Sequence, residues 1–353
     1  MSILIAVIGG TGAQGSPVVK ALLSPSKDGS PSPYRVRALT RNPNHRRAKE
    51  LANLGAEIVQ GSFLDFKVVA DLFQGAYGAF VNTDGFSVGE QAETYAGLAI
   101  YEIAKSKKIR HFVWSSLDYS LKAADWDRTY KCDHYNAKGR VGEFLASQPN
   151  EIEKKDGLMW TVFTNGPYMD MLRAIFAPMK IREDGTRIFV SPIGETGTIP
   201  LIALSDLGWW VRHIFDSPET TTGRDLQVAS HPITWPELVE TFRRVTGLPA
   251  EYKPVTMEEY FALWDGADQP VANELQYGAT SFQENFSAWF AQWRDNKIKR
   301  DMEWVRSVHP ETMSVEQWMR EENYRGESGY KMLKNNEDLK SKYKPSREKL
   351  SRL

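Results

Sequence analysis

Three groups of residues have types and spacing that could do chemistry. The first is Gly9-Gly10-Thr11-Gly12-Ala13-Gln14-Gly15, in which Gly9, Gly12 and Gly15 recur at every third position. Where glycines stand, no β-carbon holds a ligand away from the backbone N–H groups. At a helix start those N–H groups also carry the positive end of the helix dipole, so the ligand that fits is a phosphate or pyrophosphate. The second group centres on Arg41, in Leu39-Thr40-Arg41-Asn42-Pro43. An acid at the end of a second strand grips a ribose 2′-hydroxyl, whereas an arginine bonds a 2′-phosphate. Arg41 with no acid beside it therefore predicts NADP(H) over NAD. The third group is His134, Tyr135 and Lys138. His134 and Lys138 are four residues apart, one helical turn, so an imidazole and an ammonium share a face. Tyr135, three residues before Lys138, lies to one side of that line.

These groups need a scaffold that brings the ends of several strands together. Residues 3–8 form a continuous apolar run, the pattern of a strand buried on both faces. The glycine turn follows, then a helix over 17–23 and a Ser/Pro/Gly-rich loop over 24–33. A second strand over 34–40 leads to a helix over 44–54 that Gly55 closes. Strands follow at 56–60, 78–83 and 109–115, with helical stretches at 68–74 and 90–106 between them. An amphipathic helix over 130–147 and a sixth strand over 160–164 complete the series. Such alternation with short loops predicts an α/β fold, a Rossmann doubly wound parallel sheet, over residues 1–165. Beyond 166 the pattern loosens, with helical stretches at 205–215, 235–245 and 253–264. Residues 166–325 read as a smaller, mostly helical substrate region interleaved with the sheet edge, and 326–353 as a basic, flexible tail.

Length and composition bound the possibilities. A chain of 353 residues accommodates two domains. A formal net charge of −1 argues against direct nucleic-acid binding over the whole surface. The single cysteine, Cys132, excludes an internal disulfide framework and a cysteine-based zinc site. The six histidines are scattered without metal-ligand spacing, so no metal is expected. No run of 18 apolar residues predicts a membrane span, and the first strand begins too early to leave room for a signal peptide. Charge is uneven: residues 331–353 hold eight basic and three acidic side chains, which leaves about −6 on the rest. Eight of the eleven tryptophans follow residue 205, and residues 282–319 are crowded with Trp, Phe and Met. This cluster is read as core, with a stacking wall for a planar substrate as the alternative.

Several motifs, in order over most of residues 3–250, resemble the NmrA-like family of atypical short-chain dehydrogenase/reductase folds. They are the glycine turn, Thr40-Arg41-Asn42-Pro43, Gly55-Ala56-Glu57-Ile58-Val59-Gln60-Gly61, and His111-Phe112-Val113-Trp114-Ser115-Ser116. The stretches from His134 to Phe144 and Gly166-Pro167-Tyr168-Met169 also match. The aromatic segment from Phe286 to Arg294 is similar to fungal members. The resemblance implies that Gly9, Gly10, Thr11, Gly12, Ala13, Gln14, Gly15 and Arg41 hold NADP(H). It implies that Ser62 and Phe63 flank the adenine and that Thr83 closes over it. Pro167, Tyr168, Met169 and Asp170 would line the nicotinamide end. The family contains reductases, including tailoring enzymes of fungal secondary metabolism, and NADP-binding regulators without turnover.

Short-chain dehydrogenases place a Tyr and a Lys four apart on the helix after their serine-bearing strand. Here His134 stands where the tyrosine would be and Lys138 is in place, so Lys138 is expected on the nicotinamide ribose. His134 can supply a proton near neutral pH; Tyr168, Ser116 and Tyr135 are alternative donors. Tyr101 and Lys105 have the spacing on the wrong helix and read as a surface pair, and Tyr330 and Lys334 fall in the tail. Gly85-Phe86-Ser87-Val88-Gly89 matches the G-x-S-x-G nucleophile elbow of hydrolases, but it follows a dinucleotide fingerprint, so hydrolysis is not the expectation. The expected function is NADPH-dependent reduction of a hydrophobic, aromatic or polyketide-like small molecule in secondary metabolism. The alternative is an NADP(H)-sensing regulator acting through a protein partner. Ser351-Arg352-Leu353 is a variant of the peroxisomal Ser-Lys-Leu address, so cytoplasm or peroxisome is expected, with an import receptor as a further partner.

Overall fold

A computed structural model describes residues 2–273, 280–328 and 343–351. The chain forms two units that each weave in and out of the sequence. The first holds residues 1–119, 134–165 and 204–227; the second holds 120–133, 166–203 and 228 onward. The expected single boundary at 165/166 therefore does not hold. The helix Leu204–Asp216 and the strand Arg224–Gln227 return to the first unit.

The N-terminal elements are β1 (Ile3–Ile8), α1 (Gly15–Leu23), β2 (Tyr34–Thr40), α2 (Arg46–Asn53), β3 (Glu57–Gln60), α3 (Phe66–Phe73) and β4 (Gly78–Val81). They continue as α4 (Gly85–Ser106), β5 (His111–Ser116), α5 (Ser120–Ala123), α6 (Asp133–Ala146) and β6 (Met159–Thr164). The first unit is built on a seven-stranded sheet in which Arg224–Gln227 is followed by β6, β5, β4, β1, β2 and β3. Every neighbouring pair is parallel. The strands β4, β5 and β6 are buried along their whole length, as expected of strands whose two faces are both covered by helices. The chain leaves β1 in one direction for β2 and β3, then returns to the other side of β1 for β4. Such a reversal opens a crevice at the carboxyl end of β1, where ligands bind in sheets of this kind. The glycine turn emerges at that end.

Besides its helices, the second unit holds several short strands. Arg187–Ser191 pairs parallel with Ala250–Pro254 and antiparallel with Lys180–Ile181. Thr198–Leu201 pairs antiparallel with His231–Thr234. Only Met257–Ala262 of the expected 253–264 stretch is helical, because Thr256 and Glu259 form a capping box at its start. The aromatic cluster is core: in the helix Phe282–Arg294, Trp289, Phe290 and Trp293 are all buried, and Trp289 stacks flat on Phe176. An apolar cavity beside Phe176 and Trp235 measures about 10 Å³, room for a single water at most. Part of the expected loose tail is packed. Tyr343 stacks on Phe282, Lys344–Pro345 pairs with Trp264–Asp265, and Ser346 is buried. Tyr330, Lys334, Arg352 and Leu353 lie outside the described residues, so that Tyr/Lys pair and most of the C-terminal address do too.

Candidate functional site

The glycine turn is built into the end of β1 from both sides. Gly9 has φ +79°, a left-handed conformation, and a β-carbon on it would come within 2.5 Å of the Asn82 carbonyl oxygen. A β-carbon on Gly15 would overlap the Gly9 carbonyl, so α1 begins directly against the turn. Gly12 is different. Its N–H closes the turn onto Gly9 O at 2.9 Å, and a β-carbon there would meet only that same oxygen, at 3.1 Å. The protein itself leaves Gly12 the least crowded of the three, which is what close approach by an outside group requires. Thr11 is buried with its hydroxyl 3.2 Å from that of Thr40. Gln14 points inward: its amide oxygen accepts from Ser115 Oγ at 2.5 Å, and its nitrogen donates to Asn165 at 3.4 Å. Its expected contact with a cofactor is thus left to its backbone. Ser115 and Asn165 anchor the turn to the ends of β5 and β6, a role the motif reading missed.

At the end of β2, Arg41 reaches toward the far side of β1. Its guanidinium lies 3.5 Å from Asp84 Oδ2 and 3.4 Å from Ser87 Oγ, at the start of α4. A second arginine, overlooked in the sequence, stands nearby. Arg47 is buried and donates to the Thr11 carbonyl at 3.5 Å. Arg47, Ala48 and Leu51 form the buried face of α2, so the spacing carried the signal. Ser62 accepts the Leu64 N–H within its own loop. Phe63 belongs to the core cluster with Val69 and Leu72.

Lys138 sits at the centre of a buried polar knot. Its Nζ lies 3.0 Å from Thr83 O, 3.1 Å from Thr83 Oγ1, 3.3 Å from Asn82 Oδ1 and 3.2 Å from Glu93 Oε1. An ammonium has three hydrogens, so four oxygens already saturate it. Holding a ribose, the expected role, would require it to release one. Thr83 donates to Glu93 at 2.7 Å, which turns its side chain into the protein and away from the expected closure over adenine. Glu93 is fully buried and was not foreseen. It shares the inner face of α4 with Ala96, Gly97 and Ile100, and a carboxylate on an apolar face needs a cation.

His134 is buried, its ring 4.6 Å from that of Phe86 and 5.0 Å from that of Tyr135. Tyr135 is buried as well. Ser116 Oγ is 3.1 Å from the Leu117 carbonyl and 3.2 Å from that of Lys138, so its proton is directed onto backbone and it is a poor donor to substrate. Tyr101 is not a surface residue: it is 2% exposed, with Lys105 over its ring. Ser87 is no nucleophile elbow. It lies within α4, its backbone lacks the strained positive φ, and its hydroxyl donates to Asp84 at 2.5 Å.

Pro167, Tyr168, Met169 and Asp170 belong to the second unit. Ile202 N–H donates to Pro167 O at 2.8 Å and Met169 N–H donates to Ile202 O at 2.9 Å, which fixes Tyr168 between them. Met169 is fully buried. Asp170 Oδ2 is buried without a hydrogen-bond partner, and burial pushes its carboxyl up to about 6. Glu322 adds to the rise and Arg173 opposes it. Among the described residues no cluster of three His, Cys, Asp or Glu is placed to hold a metal ion, and no helix is long and apolar enough to cross a membrane.

The NmrA-like family model matches residues 1–324. The NmrA-like family domain-containing oxidoreductase notA' of Aspergillus versicolor is 33% identical over 265 residues, 70% of this chain and 69% of that protein. The corresponding oxidoreductase hkm9 of Aspergillus hancockii is 28% identical over 78% of this chain and 82% of its own length. Among solved structures, NmrA, a negative transcriptional regulator in complex with NADP, superposes with a TM-score of 0.69 at 19% identity, covering 91% of this chain and 95% of that one. An NADPH-dependent quinone oxidoreductase from Escherichia coli, complexed with NADPH, gives 0.65 at 17% identity, covering 91% and 100%. At these identities the solved structures speak for the fold alone.

Proposed function

The chain belongs to the NmrA-like family and is an oxidoreductase within it, and on that premise we propose that it uses NADPH to reduce a hydrophobic, aromatic or polyketide-like small molecule in fungal secondary metabolism. The observation that carries this reading is the glycine cradle beside two cations. The uncrowded Gly12 leaves room for a pyrophosphate against the start of α1, and Arg41 with Arg47 supplies positive charge where a 2′-phosphate would need it. When bound, NADPH supplies the hydride. The chain's own residues do the rest. Lys138, neutralised by Glu93, fixes Asn82 and Thr83, and the Asn82 carbonyl in turn borders Gly9. This ties the floor of the turn to α6. His134 holds a titratable imidazole on that helix, buried between two aromatic rings, and is the proton donor we assign within the first unit.

The quinone oxidoreductase and the fungal relatives suggest the panel to test: aromatic enones, quinones and polycyclic carbonyls. NADPH consumption should depend on one of these acceptors. His134→Ala should lower kcat more than KM, with Tyr168→Phe as the comparison. A second reading, a sensor of NADP(H) without turnover, draws on His134 in the tyrosine's place and on the saturated Lys138. Tight NADPH binding with no acceptor reduced would establish that reading instead.

A further inference from the structure

The G-x-S-x-G segment is not used by the chemistry above, yet it holds an acid beside the arginine expected to read the cofactor's phosphate. β1 lies between β2 and β4, and the glycine turn leaves β1 between their ends. Arg41 follows β2 and Asp84 follows β4. The two side chains meet at 3.5 Å, so an ion pair bridges the strand whose turn is the pyrophosphate cradle. Ser87 fastens the acidic half, since its hydroxyl donates to Asp84 Oδ2 at 2.5 Å while it also lies 3.4 Å from Arg41. The Asp84 carboxylate makes no capping hydrogen bond to the backbone of α4, although it stands at the N-cap position where such acids ordinarily serve the helix. Beneath it, a β-carbon on Gly85 would overlap the buried Glu93 carboxylate, which seats the loop closely and holds Asp84 where it is.

We propose that Asp84, held by Ser87, is a specificity-determining residue that narrows the preference for NADPH over NADH. It does so in two ways that share one sign. It occupies the Arg41 guanidinium that a 2′-phosphate would need, and it places a negative charge beside that phosphate. A 2′-hydroxyl suffers neither penalty, and Asp84 can accept a hydrogen bond from it. This inference rests on the NADP(H) reading of the glycine turn.

The test is direct binding of NADPH and NADH to the full-length protein, followed by calorimetry or tryptophan fluorescence, so that no substrate is needed. Asp84→Asn should tighten NADPH about two- to fivefold, the scale of a half-exposed ion pair. It should leave NADH unchanged or weaker, so the ratio of the two Kd values rises. Ser87→Ala should shift the ratio the same way by less. Arg41→Ala should move it the opposite way by weakening NADPH selectively. An unchanged ratio in a folded Asp84→Asn protein, or equal shifts for both nucleotides, overturns the proposal. Failure of the wild-type protein to bind either nucleotide overturns the cofactor reading and this inference with it.

Discussion

Replacing Lys138 with methionine keeps most of the side chain's volume and removes its charge. The Glu93 carboxylate, fully buried, then keeps only the Thr83 hydroxyl. Stranding a buried charge in this way costs about 3–5 kcal/mol, which lowers Tm by on the order of 10 °C. Glu93→Gln is milder, because the Lys138 ammonium retains Thr83 O, Thr83 Oγ1 and Asn82 Oδ1 as acceptors. The double variant Glu93→Gln/Lys138→Met buries no net charge, so it should be more stable than Lys138→Met alone. Denaturant unfolding of the four proteins closes a double-mutant cycle, with a coupling of about 1–3 kcal/mol expected between the two sites. Additive effects, or a Lys138→Met protein as stable as wild type, would refute the claim that Glu93 is what holds this lysine.

Other expectations follow from the same geometry. Gly12→Ala should fold nearly as well as wild type and lose NADPH affinity, whereas Gly9→Ala should be destabilised by roughly 1–3 kcal/mol through its positive φ and its closeness to the Asn82 carbonyl. Thermal melts with and without NADPH separate the two, and equal loss of stability would contradict the reading of Gly12. Burial holds the Asp170 carboxyl up at about 6 in the folded protein against an ordinary 3.8, so its contribution to stability is full below about 4 and is lost as pH rises through about 6. Asp170→Asn should therefore be the more stable protein at neutral pH, by up to about 3 kcal/mol, with the advantage vanishing below pH 4. A difference that does not vary with pH would count against a carboxyl raised by burial. Serine-directed phosphonates should leave Ser87 unlabelled, and stoichiometric labelling would reopen hydrolysis.

The sheet was legible where a strand is buried on both faces, as at Ile3–Ile8 and in the mostly apolar β6. The strand Arg224–Gln227 was not, because it lies at the sheet edge with only Leu226 buried, so its letters are mostly polar. Its return to the first unit, from a position past the supposed boundary, follows from long-range pairing with β6 that no local pattern records. The glycine turn was legible because the chain itself needs Gly9 and Gly15. Residue types placed Lys138 and Arg41 but did not name their partners. Glu93 and Asp84 lie on α4 and the loop before it, far from both in sequence, and only the fold brings them into contact. Arg47 and Glu93 left a usable trace, each a charged residue on the inward face of an otherwise ordinary amphipathic helix. The packing of Tyr343–Ser351 depends on Trp264 and Phe282, and composition alone argued the other way.

Hydride transfer from NADPH to an apolar acceptor can be followed by isotope transfer. NADPH deuterated at the nicotinamide C4 would be incubated with the full-length protein and the acceptor panel, and the products read by mass spectrometry. Deuterium is expected in a reduced product, with the yield cut in His134→Ala. Tight binding of NADPH with the label retained on the nicotinamide, whatever acceptor is offered, would contradict it.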